Sequence, residues 1–223
     1  MPEANVVPVT IRTSDGLALE GERSSPIAPT RGIPTRGIPT RGGVVLCHPH
    51  PLYGGTMRSL VVSALFDALP RLAIDCLRFN YRGVERSTGA YDEGRGERHD
   101  VRAALDALAS ELPTGVPLVL VGWSFGADLA LATHDSRLAG WIGIAPPVRF
   151  VSADDLGSVA TDRRPKLLVL AEHDEFRDPA WVREHTADWT ETDCEVVPGA
   201  SHFFVGRTDR VIELVARFVA ARA

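Results

Sequence analysis

The sequence has few cysteines and no residue spacing typical of a metal site. Its three cysteines, Cys47, Cys76 and Cys194, lie in separate apolar stretches. An odd number of widely separated cysteines excludes a disulfide framework as the basis of the fold. We therefore expect buried free thiols in a reducing compartment, and we predict neither a metal ion nor another cofactor.

Lysine is also scarce, since Lys166 is the only one, and the 29 acidic residues outnumber the 24 basic ones to give a formal net charge of -5. A chain with this charge has no electrostatic reason to bind nucleic acid or an anionic membrane. No apolar run reaches the length that spans a bilayer, and residues 1–13 do not have the pattern of a signal peptide. These absences predict a cytoplasmic protein whose partner is a small molecule.

The length and composition favour one domain. With 223 residues and 44% hydrophobic side chains, the chain can bury one substantial core, so we predict a single domain over residues 1–223. The pentapeptide Pro-Thr-Arg-Gly-Ile recurs within residues 29–43, where so much proline and glycine predicts a flexible loop. The alternative is that Arg31, Arg36 and Arg41 in these repeats form an anion anchor.

Hydrophobic patterning predicts an α/β fold. Residues 6–12 and 17–23 alternate in polarity around a Ser-Asp-Gly turn, which predicts an antiparallel hairpin. From residue 43 onward, short apolar segments alternate with helical patterns, which predicts a mostly parallel sheet of about seven or eight strands with helices on both faces. We expect residues 146–165 to be mostly irregular, with room for a flap but not for a large cap domain.

The segment from Leu118 to Asp128 organises the rest of the chain. A Val/Leu-rich strand runs into Gly122-Trp123-Ser124-Phe125-Gly126, and a helical pattern follows. A serine at such a sharp strand-to-helix turn is exposed at the edge of the sheet, and its flanking glycines leave room for neighbouring backbone. Ser124 is therefore the candidate nucleophile, and the start of the next helix favours a developing oxyanion beside it.

A serine nucleophile needs a base and a group that orients the base. His202 follows the last predicted strand, and Asp174 follows the strand before it. The chain order Ser124, Asp174, His202 is the one expected when the nucleophile occupies this kind of turn. We predict that these three residues form a catalytic triad.

The loop after the first parallel strand should supply the second oxyanion donor. In His48-Pro49-His50-Pro51-Leu52 the prolines have no N–H, so only the other three residues can donate from the backbone. We predict the N–H groups of His50 and Phe125 as the oxyanion hole. A metal site at His48 and His50 is the alternative, but the spacing indicates no third ligand.

Four motifs occur in order along the chain. They are His-Pro-His-Pro-x-x-Gly-Gly at residues 48–55, Arg-Phe-Asn-x-Arg-Gly at 78–83, Gly-x-Ser-Phe-Gly at 122–126 and Gly-Ala-x-His-Phe-Phe at 199–204. With them the chain resembles the α/β-hydrolases, and more narrowly the small bacterial serine hydrolases related to the dienelactone hydrolases. The resemblance implies an esterase-type fold with Ser124 as nucleophile, Asp174 as acid and His202 as base. Dienelactone hydrolases themselves use a cysteine nucleophile, so a serine argues against that particular substrate.

Together these observations predict a serine hydrolase, foremost one that cleaves small or medium acyl esters through an acyl-enzyme. A peptidase, a thioesterase or an acyltransferase with the same triad is an alternative, and so is a non-catalytic binding protein on this scaffold. Tyr53, Trp123 and Phe203 are the candidate substrate-binding side chains, although aromatic residues at these places could also be ordinary core.

Overall fold

A computed structural model describes residues 5–26 and 40–223. Eight strands in these ranges form one sheet. The strands are β1 (Asn5–Arg12), β2 (Ala18–Ser25), β3 (Gly42–Cys47), β4 (Ile74–Phe79), β5 (Leu118–Trp123), β6 (Leu138–Ile144), β7 (Lys166–His173) and β8 (Thr192–Ser201). Their order across the sheet is β1-β2-β4-β3-β5-β6-β7-β8.

The sheet has the predicted mixture of directions. β1 and β2 form an antiparallel hairpin, and β2 also pairs antiparallel with β4. All pairs from β4 to β8 are parallel, so the carboxyl ends of β3 to β8 meet at one edge. The predictions of an N-terminal hairpin and of seven or eight mostly parallel strands are confirmed.

Helices cover both faces of the sheet. They are α1 (Leu60–Ala68), α2 (Glu97–Ala109), α3 (Phe125–Leu131), α4 (Ala153–Thr161), α5 (Pro179–His185) and α6 (Thr208–Ala220). One core cluster contains side chains of α1 and α6, and the other contains side chains of α2, α3, α4 and α5. Successive side chains of β3 alternate between the two clusters, because side chains of a strand point to opposite faces in turn. Because both faces of β3 are buried, its sequence is continuously apolar rather than alternating in polarity.

The prediction that residues 146–165 are mostly irregular is wrong for the part that forms α4. The Ser152 side chain accepts a hydrogen bond from the Asp155 N–H, and the Asp155 carboxylate accepts one from the Ser152 N–H. This reciprocal capping box starts the helix, and Leu156 and Val159 bury one side of it. A helix of nine residues is no large cap domain, so that part of the prediction is confirmed.

Three predicted boundaries also differ from the structure. The spacing of apolar residues predicts a helix over residues 57–69, but the Met57 N–H donates to the Asn80 side chain and the helix begins at Leu60. Strand β8 continues to Ser201, beyond its apolar residues, which brings the chain directly to His202. The helical pattern after Ser124 predicts a helix from Phe125 to about His134, but α3 ends at Leu131 and His134 lies beyond it.

Most of the loop predicted at residues 29–43 lies outside the described residues, and so do Arg31 and Arg36 of the alternative anion anchor. The last two residues of the predicted loop belong to β3, which begins at Gly42. The Gly43 N–H donates to the Pro117 carbonyl, which ties the start of β3 to the start of β5. Within the described ranges, none of the helices has the length and apolar character that crossing a membrane requires.

Candidate active site

Ser124 lies at the carboxyl end of β5 in a strained backbone conformation. Its φ is 56° and its ψ is -121°, a region that non-glycine residues rarely adopt and that clusters at functional sites. A Cβ at Gly122 would lie 2.0 Å from the Gly126 carbonyl oxygen, and a Cβ at Gly126 would lie 2.4 Å from the Cys47 carbonyl oxygen. The two glycines therefore let β5, α3 and the end of β3 approach closely, which is the role that the sequence predicts for them.

Ser124, His202 and Asp174 form one continuous chain of hydrogen bonds. The His202 Nε2 lies 3.0 Å from Ser124 Oγ, and His202 Nδ1 lies 2.8 Å and 3.0 Å from the two Asp174 carboxylate oxygens. A carboxylate only accepts hydrogen bonds, so it holds the proton on Nδ1 and leaves Nε2 free to accept from the serine hydroxyl. Both side chains are nearly inaccessible, with 6% exposed for His202 and 3% for Asp174.

The turn after β7 holds Asp174 in place. Its Oδ1 accepts hydrogen bonds from the backbone N–H groups of Phe176 at 2.9 Å and Arg177 at 3.1 Å. Such a local turn is typical of aspartate directly after a strand. It aims the carboxylate at the neighbouring end of β8, where His202 lies.

Glu175 is a further contact of His202 that sequence reasoning missed. The His202 backbone N–H donates to the Glu175 carboxylate at 2.9 Å, and the His202 carbonyl accepts from Trp123 Nε1 at 3.1 Å. Nearby, Glu172 accepts from the Gly199 N–H at 2.7 Å. The run of acidic residues after β7 was the signal in the sequence, but it did not show which of them would reach the histidine loop.

His48 braces the loop after β3 against the end of β4. Its Nε2 accepts from the Tyr81 N–H at 3.1 Å, so its Nδ1 carries the proton and donates to the Pro49 carbonyl at 2.6 Å. Complete burial lowers the pKa of His48 to about 3, since the charged form would be desolvated. The ring is thus neutral with a fixed tautomer.

His50 is held in a similar way beside Ser124. Its Nδ1 accepts from the Leu52 N–H at 3.2 Å, which leaves Nε2 to donate to the Tyr91 hydroxyl at 3.1 Å. Burial, and secondarily the charge of Arg149, lower the pKa of His50. All ring nitrogens of both histidines have protein partners, and no group of three metal-binding side chains occurs among the described residues. The arrangement gives no support to the metal alternative.

The two predicted oxyanion donors belong to loops that pack against each other. The His50 and Phe125 rings lie 4.8 Å apart, and the Phe125 N–H opens α3, where the first N–H groups have no intrahelical acceptor. Gly54, with a φ of 80°, and Gly55 turn the His50 loop back on itself. A Cβ at Gly55 would lie 2.1 Å from the Pro49 carbonyl oxygen, which explains the second glycine of the motif.

A cavity of about 740 Å³ opens over Ser124. The predicted residues His50, Tyr53, Trp123, Phe203 and His202 all line it, with Tyr53 82% exposed at the rim. The lining also includes side chains that sequence reasoning did not identify, namely Leu60, Arg149, Phe150 and Phe176. Phe125 is fully buried, and its ring does not line the cavity.

Asp128 fixes the backbone of residues 148–150, which include the cavity residues Arg149 and Phe150. Its buried carboxylate accepts hydrogen bonds of 2.8 to 3.0 Å from the N–H groups of Val148, Arg149 and Phe150. Burial raises the pKa of Asp128 to about 6, because desolvation of the charged form outweighs these three bonds. The aspartate two residues after the glycine of the elbow was the only signal, and it does not show which loop it would bind.

In the Arg-Phe-Asn-x-Arg-Gly motif, the sequence alone allows Arg82 to be either a substrate clamp or a staple between loops, and in the structure it is a staple. Its guanidinium donates to Asp100 at 2.7 Å and to Asp15 at 2.9 Å, and it does not line the cavity. Glu97 binds the N–H groups that precede α2 rather than a substrate. Cys47 and Cys76 are buried and Cys194 is partly buried, all as free thiols.

Comparisons with known proteins find relatives with the same fold. No protein-family model matches the chain. An α/β serine hydrolase homologue from Coxiella burnetii is 32% identical, with 98% of this chain and 99% of that chain covered and a TM-score of 0.81. An α/β serine hydrolase without a lid from Xanthomonas campestris is 26% identical, with 100% and 96% covered and a TM-score of 0.77. An uncharacterized protein of Rickettsia prowazekii is 31% identical over 173 residues, which cover 74% of this chain and 73% of that protein. The chain belongs to the α/β-hydrolase superfamily.

Proposed function

We propose that this protein is a serine hydrolase that cleaves carboxylic esters with small or medium acyl groups. Ser124 is the nucleophile, His202 the general base and Asp174 the residue that orients the base. The observation that carries the proposal is the continuous hydrogen-bond chain from Ser124 Oγ through His202 to Asp174 at the floor of the cavity. A binding protein would have no use for a strained serine next to an oriented base.

The reaction would proceed through an acyl-enzyme. Ser124 Oγ attacks the acyl carbon while its proton passes to His202 Nε2, and the N–H groups of Phe125 and His50 stabilise the oxyanion. Collapse of the tetrahedral intermediate breaks the ester bond, and the alcohol leaves with the proton from His202. A water molecule then gives a proton to His202, attacks the acyl carbon, and releases the acid and the free serine.

The shape of the site supports a substrate of modest size. Within residues 5–26 and 40–223 no large cap covers the cavity, and Tyr53 and Phe203 offer apolar surface at its rim. The relatives named as serine hydrolases support the same class of chemistry. We keep the narrower relationship to serine-containing relatives of the dienelactone hydrolases as part of this proposal, on the four sequence motifs. A peptidase, thioesterase or acyltransferase would use the same triad, and a comparison of ester, thioester and amide substrates distinguishes them.

Labelling with a fluorophosphonate tests the nucleophile directly. We expect stoichiometric modification that peptide mass spectrometry locates on Ser124. The Ser124→Ala and His202→Ala variants should remain folded by circular dichroism but lose the label and at least about a thousandfold in kcat. An unlabelled wild-type protein with a normal circular dichroism spectrum would contradict the assignment of the triad.

A further inference from the structure

Arg149 is a cation at the cavity without an acidic partner. It is exposed and lines the cavity together with Ser124 and His202. The described residues of the lining include no aspartate, glutamate or lysine, so Arg149 is the only permanently charged side chain among them. In the described part of the chain no carboxylate lies within ion-pair distance of Arg149, and its guanidinium lies 4.8 Å over the Phe150 ring.

Neighbouring arginines are engaged with protein groups. Arg177, which follows the turn of Asp174, donates from Nε to the Pro147 carbonyl at 2.8 Å and stacks on Trp181 at 3.9 Å. Arg82 has two carboxylate partners. A guanidinium is a planar donor fork that pairs best with a carboxylate or a phosphate, and no carboxylate of the described residues hydrogen-bonds to the Arg149 side chain.

The backbone below Arg149 is fixed, which limits the entropy lost on binding. Asp128 accepts the Arg149 N–H at 2.8 Å and also binds the N–H groups on either side of it. The nearby Asp128 carboxylate is buried and accepts from three backbone donors, so it interacts with the charge of Arg149 but forms no ion pair with the guanidinium. A donor fork that starts from a rigid segment loses less freedom when it binds a ligand.

We propose that the ester substrate of this enzyme carries a carboxylate, and that Arg149 binds it while Ser124 attacks the ester group. The inference rests on the proposed function and adds the substrate class. The protein has a formal net charge of -5, which disfavours the approach of anions in general. Arg149, which forms no ion pair with described residues, therefore attracts a carboxylate locally, although the protein as a whole is negatively charged. The aromatic rim contacts the apolar portion of the same substrate.

The test compares charged and neutral esters of the same shape. The mono-para-nitrophenyl ester of glutaric acid and the matching ester of its monoamide differ only in the carboxylate on the acyl side. Para-acetoxybenzoate and para-acetoxybenzamide differ only in the carboxylate on the alcohol side. The readout is the ratio of kcat/KM for the charged ester to that for the neutral one, so the two pairs show which side of the ester faces Arg149.

Arg149→Gln removes the charge, Arg149→Lys keeps it without the fork, and Arg163→Gln is the matched control. Arg163 is exposed, forms no ion pair with described residues and precedes β7, so it lies at the edge of the sheet opposite Ser124. In one of the two pairs, Arg149→Gln should lower the ratio about tenfold. Arg149→Lys should retain part of the preference, and Arg163→Gln should retain all of it. Added salt should reduce the wild-type ratio.

A ratio in Arg149→Gln within twofold of the wild-type ratio, for both pairs, would overturn the inference while leaving the ester hydrolase intact. Equal losses in Arg149→Gln and Arg163→Gln would overturn it as well, because only the overall charge would then matter. Hydrolysis of neither charged nor neutral esters by wild-type protein would instead refute the proposed function, and this inference with it. The fluorophosphonate experiment separates that case, since it reports on Ser124 without any ester.

Discussion

Gly126→Ala should separate two parts of the active site by a fraction of an ångström. Gly126 is the second residue of α3 and has a φ that alanine also adopts, so only space opposes the substitution. The new Cβ would lie 2.4 Å from the Cys47 carbonyl oxygen and 2.5 Å from the His48 carbonyl oxygen. Both are backbone atoms of the segment that leads to His50, so the clash cannot be relieved by a rotating side chain.

The size of the effect follows from these distances. Real Cβ contacts are essentially never below 3.0 Å, so α3 and the end of β3 must move apart by at least about 0.6 Å. Overpacking of this kind costs about 1–3 kcal/mol, and the better helix propensity of alanine returns about 0.5–1 kcal/mol. We expect a net loss of about 1–2 kcal/mol in the free energy of unfolding. Because a misplacement of about 1 Å can cost a hundredfold in rate, we expect kcat/KM to fall about tenfold to a hundredfold.

The assay combines denaturant unfolding with hydrolysis of a neutral para-nitrophenyl ester. Gly157→Ala is the matched control, because Gly157 lies inside α4 and a Cβ there meets nothing within 4 Å. That variant should gain about 0.5–1 kcal/mol in stability from helix propensity, with unchanged kcat/KM. If Gly126→Ala instead matched the control in both measurements, the close approach of α3 to the β3 loop would not position the site.

Three further outcomes follow from single contacts. Burial raises the pKa of Asp128 from 3.8 to about 6, so the folded state loses stability as this group ionises. In the wild-type protein the unfolding free energy should therefore fall by about 3 kcal/mol from this group between about pH 4 and 6. Asp128→Asn should remove that fall, as denaturant titration at a series of pH values would show. Glu175→Ala should lower kcat about tenfold by releasing the His202 N–H, whereas Glu175→Gln, which keeps an acceptor oxygen, should restore most of it in the same ester assay. Since burial raises the pKa of Cys47 to about 12, iodoacetamide should leave this thiol unmodified in the native protein and alkylate it only after unfolding, as mass spectrometry would show.

Much of the fold could be predicted from the sequence because its signals are local. A Gly-x-Ser-x-Gly pattern between an apolar run and a helical pattern indicates a strand-to-helix turn, as at Gly122 and Gly126. The other apolar runs of the chain indicate buried strands. The positions of Asp174 and His202 follow from chain order, because the carboxyl ends of parallel strands share one edge of the sheet. Residues far apart in sequence could therefore be brought together without knowing any side-chain contact.

The missed residues depend on contacts that no local pattern encodes. Arg149 and Phe150 reach the cavity because Asp128, about twenty residues earlier in the chain, binds their backbone. Glu175 contacts His202 from 27 residues away. Helix α4 was missed for a different reason, since the capping box at Ser152 was present but the glycine in mid-helix and the flanking prolines favoured an irregular segment.

The four sequence motifs act as one physical unit, because each holds another strand end in place. Gly126 packs on the carbonyl groups that follow β3, and His48 in that loop binds the Tyr81 N–H beyond β4. Trp123, next to the serine, donates to the carbonyl of His202 beyond β8. A change in any of these loops therefore moves the ends of several strands relative to Ser124. Substitutions at His48 are accordingly expected to impair turnover through geometry, even though a neutral, fully engaged imidazole has no proton to offer the reaction.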